Sequence, residues 1–536
     1  MILQSIRIAS LISGIVVLVS SHSLFGIEQD KGNDQSMGSE QRLVVDSPNI
    51  LFLLADDLGY GDLGCTGHPY AKTPAIDQLA SEGTMFRTFY TAGSTCVPSR
   101  VGFMTGRFPQ TFSKEVAIGG NIDSPTVTEI IKRRGYRTGH FGKWDLGEKQ
   151  EPGTFGIDEI QVLRGDPENV SGRDSVITDA TIDFIRRNKH EPFYVNVWFH
   201  TPHHPVNPHM SYVDRFADVV FRRSDFQNPD FMSYLDIVEN KYGDCSEGMR
   251  NYLGDVSQLD DQVSRILKAI DEEGLRQSTI IVFSSDNGPA RIKSEGARKW
   301  DKGEDDGVDP RVQLGVRSEK SFLGSAGPFR GRKHSLHDGG IRAPWIVRWP
   351  GRVAEGKIDE ASVITAVDWL PTLASITGAR LDGRSVEGND FDGEDVSQMW
   401  FGKKTERERD IFWANGGPES PRLAMRRGSW KYCVFKDGSK SLYDLSKDPS
   451  ESMDVSSENP STVAKLDRTM QDWLKGLDPD SYARQLQPGK FRASGVSMSP
   501  SKQPLSYRWG MIMAAIISVL VGLSGIVYRL SRPAKG

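Results

Sequence analysis

Asn49-Ile50-Leu51-Phe52-Leu53-Leu54-Ala55-Asp56-Asp57 decides the architecture. A continuous apolar run that stops on two aspartates suits a β-strand covered on both faces, with its polar end at a sheet edge. Two later runs repeat the design. Residues 193–199 lead into a histidine-rich turn, and Thr279-Ile280-Ile281-Val282-Phe283 leads into Ser284-Ser285-Asp286-Asn287-Gly288. Helical spacing intervenes: Val263, Ile266, Leu267 and Ile270 precede the third run, and residues 126–134 form another candidate helix closed by Gly135. Strands alternating with helices predict an α/β sheet, and polar clusters just after strands are where such sheets hold ligands.

The 536 residues are long enough for a large core and for two or more domains. Charged residues make up 26% and hydrophobic ones 37%, the balance of an ordinary enzyme body. A net charge of -5 leaves no basic footprint, which argues against a nucleic-acid partner while still allowing a local Arg/Lys cluster to bind an anion. The four cysteines (Cys65, Cys96, Cys245 and Cys433) lack metal-type spacing. With Cys96 set aside, three remain, and they read as buried or free thiols rather than a disulfide framework.

Both ends carry membrane information. Arg7 and the apolar stretch 8–19, followed by small residues, have the pattern of a signal peptide over 1–26, with an uncleaved anchor as the competitor. Residues 511–528 lack charge and are flanked by Tyr507, Arg508 and Trp509 on one side and Arg529, Arg532 and Lys535 on the other. That predicts a transmembrane anchor over 507–530 and a basic tail over 531–536, with a processed sorting tail as the alternative. An extracytoplasmic, membrane-tethered body follows. Residues 27–46 read as a spacer and 481–506 as a linker. The catalytic domain is expected over 47–375 and a smaller α+β subdomain over 376–480. In the latter, 422–435 and 441–443 suggest short strands around a turn at Lys436-Asp437-Gly438, and 463–477 an amphipathic helix.

Asp56, Asp57, Asp286 and Asn287 offer three carboxylates and an amide oxygen from two strand ends, a set that favours Ca²⁺ or Mg²⁺ over zinc. Acidic pairs after strands also serve as helix caps, so the pairing of the two clusters matters more than either alone. In Thr95-Cys96-Val97-Pro98-Ser99-Arg100, the proline suits the first turn of a helix running through Thr105. Cys96 then lies at the helix entrance, where free N–H groups attract an anion, and Arg100 adds positive charge one turn along. The competing reading of Cys96 is a buried thiol beside a turn.

Cys96-Val97-Pro98-Ser99-Arg100 resembles the modification signature of the type I, formylglycine-dependent sulfatases of the alkaline phosphatase superfamily. Further stretches are similar to that family in the same order. They are Asn49 through Gly61, Thr73-Pro74-Ala75-Ile76-Asp77, Gly135-Tyr136-Arg137-Thr138, Gly142-Lys143-Trp144, Pro202-His203-His204-Pro205, Ser285-Asp286-Asn287-Gly288, Gly331-Arg332-Lys333 and Gly339 through Pro344. Leu442-Tyr443-Asp444-Leu445 and Asp448-Pro449 resemble the family's C-terminal subdomain.

The resemblance implies a mixed, mostly parallel central sheet flanked by helices. It implies sulfate-ester hydrolysis on a sulfated carbohydrate by the hydrate of a formylglycine made from Cys96 by a formylglycine-generating enzyme. That residue would sit on one Ca²⁺ beside Asp56, Asp57, Asp286 and Asn287. Arg100, Lys143, His203 and Lys333 are implied around the sulfate, with His203 hydrogen-bonding it or assisting the leaving oxygen. Gly327 through Lys333 most resembles the N-acetylgalactosamine-6-sulfatase-like and arylsulfatase A-like branch.

One position departs from the family. Gly142-Lys143-Trp144-Asp145-Leu146-Gly147 carries aspartate where the family carries a histidine that helps deprotonate the hydrate. Asp145 accepts a proton less readily, with a reference pKa of about 3.9 against about 6.5. His140 could substitute only if the backbone allowed it. His200, His204, His209, His334 and His337 read as cleft or loop residues, and a zinc site is disfavoured by the oxygen-rich ligand set. Two other readings stay open: a formylglycine-dependent phosphonate or phosphodiester hydrolase, and a sulfatase-like glycan-binding protein that has lost turnover through Asp145.

Overall fold

A computed structural model describes residues 47–113, 116, 122, 124–166, 169–292, 320–381, 391–417 and 420–485. The expected signal peptide, spacer, membrane anchor and basic tail, and all but the start of the expected linker, lie outside the described residues. Among the described residues no helix is long and apolar enough to cross a membrane.

The opening run forms β1 (Asn49–Asp56), buried along its whole length. Ile50, Phe52 and Leu54 enter the core on one face of the sheet, and Leu51, Leu53 and Ala55 enter the core on the other. Period-two alternation thus feeds two separate cores, which is why the sequence shows no polar gap. The other strands are β2 (Thr84–Tyr90), β3 (Arg137–Gly142), β4 (Glu159–Gln161), β5 (Phe193–Pro202), β6 (Thr279–Ser285), β7 (Trp345–Arg348) and β8 (Lys357–Thr365). They form one sheet in the order β4-β3-β5-β1-β6-β7-β2-β8. Pairings are parallel except where β7 meets β6 and β2, so the sheet is mixed and mostly parallel.

The helices include α1 (Pro74–Ser81), α2 (Cys96–Thr105), α3 (Val127–Lys132), α4 (Ser175–Asn188), α5 (Ser246–Glu272) and α6 (Trp369–Thr377). Thr126 caps α3 through a reciprocal bond with Glu129, and Gly135 at φ +84° turns the chain out, as the sequence indicated. Val263, Ile266, Leu267 and Ile270 lie on the buried stripe of α5.

A second, antiparallel sheet holds β9 (Ile411–Ala414), β10 (Leu423–Arg427), β11 (Trp430–Val434) and β12 (Lys440–Asp444) in the order β12-β11-β10-β9. The stretch expected to form short strands over 422–435 is a hairpin, reversed at Gly428 with φ +58°. The turn at 436–438 is closed by Gly438 N–H on Phe435 O at 3.0 Å. α7 (Pro460–Gly476) carries Leu466, Met470 and Leu474 inward. The apolar core beneath one face of the main sheet runs without a break into this second sheet.

The shared strand direction brings the C-terminal ends of β1, β2, β3, β5 and β6 to one edge. Because β7 is reversed, its entrance lies at that edge too, and so does the segment that precedes it.

Candidate active site

The expected site residues lie at this edge: all but Lys333 end or follow a strand, and Lys333 lies on the segment that precedes β7. Asp56 ends β1; Asp57 follows at φ +65°, a left-handed conformation that aspartate tolerates better than most residues. The register of β1 against β5 shifts between Leu54 and Asp56, setting Asp56 opposite Pro202, one residue before His203. Asp286 and Asn287 follow β6, with Asp286 Oδ1 accepting from Asp57 N at 3.2 Å. Gly288 is required here, since a Cβ would fall 1.9 Å from Gly339 O. Cys96 opens α2 as expected, with Thr95 extended ahead of it.

One pocket collects them. Single ligand atoms of Asp56, Asp57, Cys96 and His203 all lie within 4.8 Å of one another. Cys96 Sγ is 3.5 Å from Asp56 Oδ1 and 3.3 Å from Lys333 Nζ. Lys143 Nζ bonds Asp56 Oδ2 and lies 3.1 Å from Asp145 Oδ2, while Lys333 Nζ bonds Asp57 Oδ1. Arg100, fully buried, donates Nε and Nη2 to Asp286 Oδ2 at 3.1 and 2.6 Å and lies 3.7 Å from Asp56. Two backbone bonds fix Lys333 between the flanking loops: Lys333 N to Pro289 O at 3.0 Å and His334 N to Ser94 O at 2.9 Å.

Charge and burial oppose each other throughout. Burial alone would raise Asp56, yet Lys143, His203 and Arg100 hold its carboxyl well below the usual range. Asp57 is lowered against the same burial, chiefly by Lys333. Asp286 is pushed up to about 7 by burial and the neighbouring Asp56 charge, more than Arg100 pulls it down. Burial raises the Cys96 thiol despite Lys143 and Lys333, so this sulfur is a poor thiolate. His203 is lowered by burial against the pull of Asp56 and Asp57. Its Nδ1 faces His204 O at 2.9 Å and its Nε2 lies 3.7 Å from Asp57 Oδ2.

The donor set fits a hard divalent cation. Two buried carboxylates, Asp56 and Asp57, converge with Cys96 and His203, while Asp286 stands beside them with Oδ1 on Asp57 N and Oδ2 on Arg100; the buried Oδ1 of Asn287 has no hydrogen-bond partner although its Nδ2 is bonded to Asp57 Oδ1 at 2.7 Å. An orphaned amide oxygen among carboxylates is an oxygen-ligand site of the calcium or magnesium kind.

Asp145 stands at the rim, 29% exposed at φ +52°, within 3.9 Å of Arg100 Nε. His140 does not replace it. The ring is fully buried, its Nε2 lies 3.0 Å from Lys143 O, and Trp144 and Trp198 meet it edge-on. Of the other histidines, His200 bonds Leu163 O, His209 caps a short helix and His337 pairs with Glu451. No cysteine is bridged. Sequence reasoning missed Trp198, whose ring lies 4.9 Å beneath the Arg100 guanidinium. Inside an apolar strand a tryptophan carries no signal beyond packing.

A family model described as Sulfatase matches residues 48–379. Arylsulfatase A of Homo sapiens is 27% identical over 491 residues, covering 77% of this chain and 84% of that protein. An N-acetylgalactosamine-6-O-sulfatase of Bacteroides thetaiotaomicron is 26% identical over 571 residues, covering 87% of this chain and 98% of the relative. Among solved structures, that of Ps i-CgsB superposes with a TM-score of 0.64 at 23% identity, covering 84% of this chain and 96% of the other.

Proposed function

The chain belongs to the sulfatase family, whose members hydrolyse sulfuric esters, and from that premise we propose that it desulfates a carbohydrate using a formylglycine made from Cys96. The observation that carries this reading is the convergence of Asp56, Asp57, Cys96 and His203 within 4.8 Å, ringed by Lys143, Lys333 and Arg100. The relative named for N-acetylgalactosamine-6-O-sulfate chemistry, matched over 98% of its length, supports a sulfated sugar as substrate.

Formylglycine supplies, as its hydrate, one hydroxyl to take up the sulfuryl group and a second to release it. Asp56, Asp57, Asp286 and Asn287 would hold Ca²⁺, which would supply Lewis acidity to such a hydroxyl and offset sulfate charge. Lys143 and Lys333 keep their protons, since the carboxylates around them raise both ammoniums against burial. They therefore present fixed positive charge to the sulfate oxygens from two sides. Arg100 orients Asp286 and offsets the crowded carboxylates. His203 keeps Nδ1–H on His204 O; carrying a second proton on Nε2, 3.7 Å from Asp57 Oδ2, it would donate that proton to the leaving oxygen. Asp145, 3.1 Å from Lys143 Nζ, would accept the proton released from position 96.

We further propose that a formylglycine-generating enzyme is the required partner. On this reading the body works outside the cytoplasm, tethered by the apolar stretch 511–528.

Mass spectrometry of the Cys96 peptide, from protein made alongside a formylglycine-generating enzyme, tests the proposal. The expected result is the mass loss of thiol-to-aldehyde conversion, with sulfate released from a 6-sulfated N-acetylgalactosamine and release abolished in Cys96→Ala. An intact thiol in protein that still releases sulfate overturns it.

A further inference from the structure

The turn that carries His203 is fixed from outside the sheet, by two consecutive residues that the site description does not include. Arg173 and Asp174 immediately precede α4 and are 3% and 0% exposed. Asp174 Oδ2 accepts His200 N and Thr201 N at 2.9 Å each, and the Thr201 hydroxyl as well. Arg173 takes the carbonyls: Nη2 donates to His200 O at 2.8 Å and His203 O at 3.1 Å, and Nη1 donates to Pro205 O. Within the turn, His203 N to His200 O at 2.9 Å is the backbone bond. The carboxylate thus holds the amides that enter the turn, and the guanidinium holds carbonyls along it.

Burying a cation is costly, and an apolar side chain would fill the same space without that cost. What the guanidinium adds is direction. Its planar fork aims separate N–H groups at separate acceptors, which the single ammonium of a lysine cannot reproduce. Arg173 is itself held, its N–H donating to Gln258 Oε1 at 2.9 Å and its Nη1 lying 3.9 Å from Asp255. Since His203 Nδ1 is bonded to the His204 carbonyl inside this turn, the orientation of the peptide groups sets the aim of Nε2.

We infer that Arg173 is a positioning residue for the reaction, holding the 200–205 turn so that His203 Nε2 points at the leaving oxygen. This rests on the assignment of His203 made above. Misplacing a catalytic group by about 1 Å costs on the order of a hundredfold, so the loss should appear in turnover.

The test is a series of aryl sulfates of graded leaving-group acidity, together with a sugar sulfate, assayed on full-length enzyme carrying formylglycine. His203→Ala should lose most on the poorest leaving groups. Arg173→Gln should reproduce that slope. Its kcat should fall about 10- to 100-fold on the sugar sulfate but less than about threefold on a nitrophenyl sulfate, with KM within about threefold. The double variant should be no slower than His203→Ala alone. Arg173→Lys, which keeps charge and burial, should fold if Arg173→Gln does not, and should show a shallower version of the same slope. A uniform loss across leaving groups, or additive losses in the double variant, overturns the inference and leaves Arg173 a stabilising residue. A flat series for His203→Ala overturns the assignment of His203, and the inference falls with it. A steep His203→Ala series beside a flat Arg173 series overturns the inference alone.

Discussion

Asp145 changes what the pocket asks of Lys143, whose ammonium is shared between Asp56 and Asp145. The aspartate is a weaker base than the imidazole that the family pattern supplies, and it brings a negative charge toward an anionic substrate. His140 gives no relief, because burial holds its ring down to about 3 and its Nε2 faces a backbone carbonyl. Asp145→His is therefore expected to raise kcat on a sulfate ester about three- to tenfold; steady-state assays that show equal or slower turnover would count against this account. At this scale the sequence was most readable where a residue type is chemically unusual for its place. Neither Cys96 before Pro98 nor Asp56-Asp57 at the end of an apolar run is decisive alone, but the two together with Asp286-Asn287 mark one site. Arg173 and Trp198 were opaque for the opposite reason. An arginine before a helix usually faces water and a tryptophan in a strand usually fills space, so their roles depend on which carbonyls and which guanidinium the fold brings to them.

Between β1 and β6 the ladder is in register from Asn49 to Ala55, and the two strands end together on Asp56-Asp57 and Asp286-Asn287. A cation held there ties two parallel strands that the chain itself joins only through more than two hundred residues. Calcium should accordingly stabilise the fold by about 2.7 kcal/mol at a hundred times its Kd. Scanning calorimetry with and without chelator checks this, with Asn287→Ala expected to blunt the shift in Tm; no shift in the unaltered protein would exclude a resident ion at this site. The elements themselves were legible in proportion to burial. β1, β5 and β6 showed as apolar runs because both faces are covered, and α5 showed because its stripe repeats over many turns. β7 and β9, four residues each, are too short to display a period. Gly428, which splits the expected strand region into a hairpin, is one glycine among many until its positive φ is seen.

The two sheets are locked by charges with no access to water. Lys431 on β11 reaches Asp338 Oδ1 at 2.6 Å and Glu451 Oε1 at 2.9 Å, while Glu451 also accepts Asp338 N at 2.6 Å and faces His337 Nδ1 at 3.1 Å. Asp338 lies five residues beyond Lys333, so the second sheet anchors the loop that supplies one of the pocket's ammoniums. Lys431→Met would take the lysine cation from Glu451 and leave Asp338 with Arg342 alone, and should destabilise the protein by about 3–5 kcal/mol, measurable as a lowered urea midpoint. A midpoint unchanged within error would show that the network is dispensable. Such long-range pairs carry no local sequence signal, which is why the C-terminal sheet could be foreseen as strands but not as a support for the pocket. The tryptophans offer a different return. Trp345 and Trp369 lie 6.1 and 4.8 Å from Phe52, deep in the core, and their ultraviolet emission should redden only when the whole fold opens. Trp198 stacks under the guanidinium that grips Asp286, so the emission lost in a Trp198→Phe variant should be the part that changes when an anion enters the pocket.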